Sequence, residues 1–203
     1  QTISGVINSY LSVSAIDMEN RQFVADNLYG NIDDFQTGKS MLVYQAKGAT
    51  IETTNDTNYG TITNYNNAGN YEFTTIESIE GTGPYTITVV MLENAYTASG
   101  NVQLVSVPQY ENVEVNGTLT AAPWNPVSGR GGIVVLEVAD VLTLGADIDV
   151  SGQGFVGGVI STANGDCPDA ATYTTTNSGY AGKGEGISTD GTSYARGARA
   201  NGG

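Results

Sequence analysis

Asp147 and Asp149 are the residues whose type and spacing come nearest to a reactive pair. Positions two apart on a strand project from one face at about 6–7 Å, here opposite Ile148 and Val150. Paired carboxylates at that separation suit glycoside hydrolysis, one as acid and the other as nucleophile or base. They also suit an oxygen-ligated calcium ion. Asp166 and Asp169 are further calcium candidates, as is the run Asn31-Ile32-Asp33-Asp34, although no stretch carries the EF-hand pattern. Against each stands the ordinary reading, acids facing solvent on a β-surface. Calcium is the one ion the sequence offers a place for, and no other cofactor is expected.

Other chemistries lack a partner residue. The chain has no His, so a Ser-His-Asp triad cannot form. The single Cys167 excludes an intramolecular disulfide and a cysteine-cluster metal site. Its neighbours Asp166 and Asp169 disfavour a thiolate, which leaves a turn residue or a partner for a cysteine elsewhere. Gly152-Gln153-Gly154-Phe155-Val156-Gly157 matches G-x-G-x-x-G, yet no helix follows to receive a pyrophosphate, so it reads as a turn. Gly38-Lys39-Ser40 imitates the end of a P-loop, but Asp33 stands where its first glycine belongs. Tyr59, Tyr65, Tyr71 and Trp124 sit among Asn and Thr, as sugar-stacking aromatics do. Aromatics in β-proteins serve equally as core anchors.

Charge narrows the partners. Seven Lys and Arg against 21 Asp and Glu give a net charge of −14. Such a chain is repelled by phosphate backbones and by anionic lipid surfaces, so neither nucleic acid nor membrane insertion is expected. No apolar run approaches the ~20 residues that span a bilayer. The chain opens at Gln1 with neither a charged leader nor an apolar leader core. That opening predicts an exported protein whose signal peptide has been removed, secreted or held at the cell surface.

The elements that position these residues read as strands. Leu11, Val13 and Ala15 alternate with Ser12 and Ser14, and residues 41–46 form a short apolar run. Residues 71–79 and 85–91 flank a five-residue loop and predict a hairpin. Residues 102–107 form another strand, and 53–70 a long loop or ragged hairpin. After Pro108 the texture changes, and 17 of the 27 glycines follow residue 128. Residues 113–120 are echoed by 136–143, an offset of 23, and 148–152 repeat 113–117. Stacked coils of a β-solenoid give such echoes. The expected fold is all-β: a compact antiparallel barrel or sandwich-like domain over 1–108, then over 109–203 the first coils of a Gly-rich right-handed β-solenoid that continues further. Val113, Val115, Leu119, Leu136, Val138, Leu142, Ile148 and Val150 are expected to point inward.

Ordered blocks from about residue 30 onward resemble the N-terminal region of large surface proteins of gliding and biofilm-forming Bacteroidota. The blocks are 35–51 (FQTGKSMLVYQAKGATI), 60–73 (GTITNYNNAGNYEF), 102–110 (VQLVSVPQY), 119–125 (LTAAPWN), 131–138 (GGIVVLEV), 148–158 (IDVSGQGFVGG), 182–187 (GKGEGI) and 196–203 (RGARANGG). The resemblance implies export by the type 9 secretion pathway and kinship with gliding-motility adhesins. It supplies no catalytic residue. The chain departs from that pattern at Gly38-Lys39, often Gly-Asp there, and at Val156, often Arg.

The reading that joins these features is a non-enzymatic N-terminal module of a large secreted surface adhesin, serving adhesion, gliding or biofilm formation. Its partners would be the rest of a longer polypeptide, cell-surface or secretion-machinery proteins, and polysaccharide. Two alternatives stand beside it. A polysaccharide-acting β-helix enzyme would converge Asp147 and Asp149 with Lys183 or Arg196, and a phage-type fibre or tailspike module would share the acidity and the coils.

Overall fold

The computed structural model describes residues 1–160, 171–189 and 194–195. Cys167, Asp166, Asp169 and Arg196 lie outside the described residues. In chain order the strands are β1 (Thr2–Val6), β2 (Tyr10–Asp17), β3 (Gln22–Tyr29), β4 (Ser40–Gln45), β5 (Thr50–Ile51), β6 (Ile62–Asn64), β7 (Tyr71–Glu80), β8 (Tyr85–Val89), β9 (Val102–Ser106), β10 (Gln109–Thr120) and β11 (Glu137–Leu144). Short 3₁₀ turns at Ile32–Phe35 and Ala98–Gly100 are the only helical elements among the described residues. The protein is all-β.

Six strands close into an antiparallel barrel in the order β2-β3-β8-β7-β4-β9, with β9 returning to β2. Alternation builds it: Leu11 and Val13, Phe23 and Ala25, Met41 and Val43, Ile87 and Val89, and Val102 and Leu104 all point into one buried core. Burying each large apolar side chain is worth about 1.5–3 kcal/mol. Closure also leaves the barrel no free strand edge. The expected hairpin is present, with Glu80 opposite Thr86 across its loop.

A second sheet is parallel throughout, in the order β1-β10-β11. All six barrel strands lie in sequence between its first two strands. Val113, Val115 and Leu119 are buried with Ile3 on one face of this sheet, as expected. The register differs from the 23-residue echo. Tyr110 pairs with Val138, Val113 with Leu142 and Val115 with Leu144, while Leu119 bridges Ile148. The stagger is therefore 28 or 29 residues. The echo fails because Leu136 has another role. Ile133 and Val135 pack on the outer face of the barrel with Tyr10, Leu42, Val105, Val107 and Ala122. The alternate residues, Val134 and Leu136, pack on the parallel sheet. Leu142, Ile148 and Val150, expected inside, are 40–43% exposed. β11 is the outermost strand, and no described segment covers it as 133–136 covers β10.

The chain divides into two compact units. The first holds residues 1–45 and 70–154, and so contains both the barrel and the parallel sheet. The second joins residues 46–69 to the chain from 155 onward. Its ragged hairpin, β5 with β6, has a small core of Ile51, Tyr59, Ile62, Tyr173 and Ile187. Ala49 bridges Ser188 in parallel, which ties the two stretches together.

Candidate functional site

The rim of the barrel beside the parallel sheet carries the most site-like arrangement among the described residues. The β4–β7 register sets Ser40 opposite Thr75, Leu42 opposite Phe73 and Tyr44 opposite Tyr71. The strand period puts these six side chains on the outer face of the barrel, while Thr74 and Ile76 take the opposite phase and are buried. Tyr44, Ile133 and Val135 pack against the buried cluster that holds Leu42. Tyr71 and Phe73 remain 62% and 55% exposed. They form a bare aromatic shelf.

Beside the shelf runs an open groove of about 380 Å³, lined by Ser40, Phe73, Thr75, Val107, Leu136 and Glu137. The parallel register sets Gln109 at the start of β10 next to Glu137 at the start of β11. The Gln109 Nε2 donates to Glu137 Oε2 at 2.8 Å and to Ser40 Oγ at 3.2 Å. This uses both amide protons. The Ser40 hydroxyl proton, the Glu137 Oε1 and the Gln109 Oε1 stay available to a ligand, a donor flanked by two acceptors.

The residues singled out from sequence are dispersed. Tyr71 stands on the shelf and Tyr65 is exposed in the second unit. Tyr59 and Trp124 are 7% exposed, which leaves their rings as anchors. Tyr59 lies beneath Lys183, whose Nζ is 4.3 Å from the ring centre and donates to the carbonyls of Tyr173 and Ala195. That lysine is held in place by packing, cation–π attraction and backbone acceptors. Lys47 and Glu185 form a largely buried ion pair at 2.5 Å, and Glu185 also accepts from the Val156 amide at 2.9 Å.

Asp147 and Asp149 are both exposed. Hydrogen bonding from the Ser151 side chain, and then from its amide at 2.8 Å, holds the Asp149 carboxyl below the usual range. It belongs to a turn. Asp33 lies in the first 3₁₀ turn, where its amide donates to the Asn31 side chain, and Asp34 accepts from the Ser9 hydroxyl at 2.6 Å. Among the described residues no three His, Cys, Asp or Glu side chains gather as a metal site would need. Nor is any helix among them long and apolar enough to cross a membrane.

Three buried polar side chains fix the groove wall. Tyr10 Oη donates to the Ile133 carbonyl at 2.6 Å. Burial pushes its phenol up to about 12. Gln103, fully buried, donates to the Gly131 carbonyl and accepts from the Gly131 amide at 2.9 Å. Asn8 holds both Ser106 and Val135. Sequence reading missed Phe73, Ser40, Gln109 and Glu137. The available signal was a strand with aromatic residues in one phase and buried residues in the other. No protein-family model matches this chain, and comparison with curated proteins and with solved structures gives no match either.

Proposed function

We propose that this chain is a non-enzymatic module of a large exported cell-surface adhesin, a barrel carried on the first rungs of a parallel β-solenoid. The observation that supports it is the parallel sheet β1-β10-β11, in which β11 follows β10 with a 28- or 29-residue stagger, while β1 meets β10 across 112 to 114 residues with the barrel inserted between them. Parallel strands laid side by side in chain order are how solenoid rungs stack, each rung burying the side of the one before. The outermost strand is apolar and bare, with Val141, Leu142 and Leu144 exposed. A further rung laid on β11 would cover these side chains and pair its open edge. The low density of charge and the absence of His fit an extracellular binding module better than an acid–base catalyst.

The test is made in cells that produce the protein. Antibody against residues 1–160 is expected to label intact cells, and protease added outside should remove the label. On denaturing gels the antibody should detect a species much larger than the 203-residue chain. A cytoplasmic species no longer than this chain overturns the reading. So would turnover of polysaccharide that Asp147→Asn or Asp149→Asn abolishes.

A further inference from the structure

We infer that the groove between the barrel rim and the parallel sheet is a binding site for a neutral saccharide chain, stacked on Phe73 and Tyr71 and hydrogen-bonded by Ser40, Gln109 and Glu137. The inference rests on the adhesive reading and names its ligand class.

Three independent features converge on that chemistry. First, the two aromatic rings are exposed on one strand face, two positions apart, so their spacing is about 6–7 Å along β7. Rings in a row offer an elongated apolar platform to the C–H faces of successive sugars, and exposed aromatics rimmed by polar groups mark binding surfaces. Second, the polar end of the groove presents alternating capacity. The Ser40 proton can be donated, and the Glu137 Oε1 and Gln109 Oε1 can accept. Adjacent hydroxyls of a sugar each donate and accept, so one diol satisfies this set. A peptide strand would instead seek a free backbone edge, and β4 and β7 are both paired on each side within the closed barrel.

Third, charge selects among saccharides. Glu137 faces the groove, and the chain carries −14 overall. Anionic chains such as uronates are repelled by that field, whereas neutral ones are not. The hydrogen bond from Gln109 fixes the Glu137 carboxylate before any ligand arrives, which lowers the ordering cost of binding. Asp34 and Lys39 line a neighbouring hollow together with Gln109, so the polar track extends beyond Glu137.

The experiment is calorimetric titration of the full chain with cellohexaose, laminarihexaose and mannohexaose, with oligogalacturonate as the anionic control. Binding of at least one neutral chain is expected, with none of the oligogalacturonate. Phe73→Ala should weaken it about tenfold or more, as loss of a central aromatic contact does. Glu137→Gln should weaken it about tenfold, the effect of losing a charged acceptor. Tyr65→Ala, in the other unit, should leave it unchanged. Phe73 and Glu137 are exposed, so both variants should keep the wild-type melting transition, which separates lost contact from lost fold. Absence of binding to all three neutral chains overturns the inference, as does binding indifferent to Phe73→Ala and Glu137→Gln, or preference for the anionic control. A surface-exposed long protein that binds no saccharide would keep the adhesive reading and remove this one.

Discussion

Asn8 and Val135 pair as though both were strand residues: the Asn8 Nδ2 donates to the Val135 carbonyl at 2.7 Å, and the Val135 amide donates to the Asn8 Oδ1 at 3.2 Å. A side-chain amide thus completes the backbone of a segment that has no neighbouring strand on that side. The same Nδ2 donates to the Ser106 carbonyl at 2.8 Å, so one buried side chain joins the end of the barrel to the wall of the groove.

Replacing Asn8 by Ala should therefore leave two carbonyls and one amide unpaired in a buried place. The expected loss is about 2–4 kcal/mol, read from urea unfolding midpoints. A loss within error of zero would mean that water replaces the amide at no cost.

Alkaline stability should report Tyr10. Its phenol is raised by burial from 10.0 to about 12, so the native state keeps a proton that the unfolded chain releases. The stabilisation is complete below pH 10 and is lost as pH rises through about 12, for a total of roughly 2–3 kcal/mol. Tyr44, Tyr96 and Tyr110 are raised as well, chiefly by burial. The diagnostic quantity is therefore the difference between wild type and Tyr10→Phe, measured by denaturant unfolding from pH 9 to 12. Parallel curves across that window would refute the assignment to Tyr10.

Gly131 has φ of +109°, and a Cβ there would stand 2.4 Å from the Pro123 carbonyl oxygen. Gly131→Ala should cost roughly 1–3 kcal/mol through backbone strain. It should also weaken the paired Gln103 contacts. Thermal melting of Gly131→Ala against Gly152→Ala, where φ is +72° and a Cβ would meet nothing within 4 Å, separates the clash from a generic glycine effect; equal losses in the two variants would refute it.

The central and edge strands of the parallel sheet should respond unequally to truncation. Leu119 is fully buried, and Leu119→Ala should cost about 2–5 kcal/mol. Leu142→Ala, on the exposed strand β11, should cost less than about 0.5 kcal/mol in this chain. Equal losses would place Leu142 in a core that the exposed surface does not reveal.

The barrel strands were legible because each buries one face only, and alternation such as Leu11 and Val13 or Ile87 and Val89 records that directly. Residues 133–136 carry four apolar side chains in a row because both faces are buried, Ile133 and Val135 on the barrel and Val134 and Leu136 on the sheet. A two-sided segment has no alternation to read. It imitated an echo of β10 and so displaced the apparent register. The pairing of Thr2 with Glu114 was beyond local reading, since no nearby residue specifies it. The groove was half legible. Tyr71 stood out among Asn and Thr, but Gln109 and Glu137 become neighbours only through the parallel register.

Ser9 and Ser106 meet where the chain enters and leaves the barrel: the Ser106 amide donates to the Ser9 carbonyl at 2.9 Å, and the Ser9 amide donates to the Ser106 hydroxyl at 2.8 Å. Before the barrel closes, β1 must find β10 across a chain of about a hundred residues. Afterwards only a few residues separate them, which lowers the entropic cost of that encounter by about 2–3 kcal/mol. Folding order follows from this clasp. The expected outcome is that the barrel closes first and brings β1 and β10 together, so amides of β2 and β9 should gain protection from hydrogen exchange before those of β1. β1 thus finds its place only after the barrel has closed, carried there by strands that the sheet itself does not include.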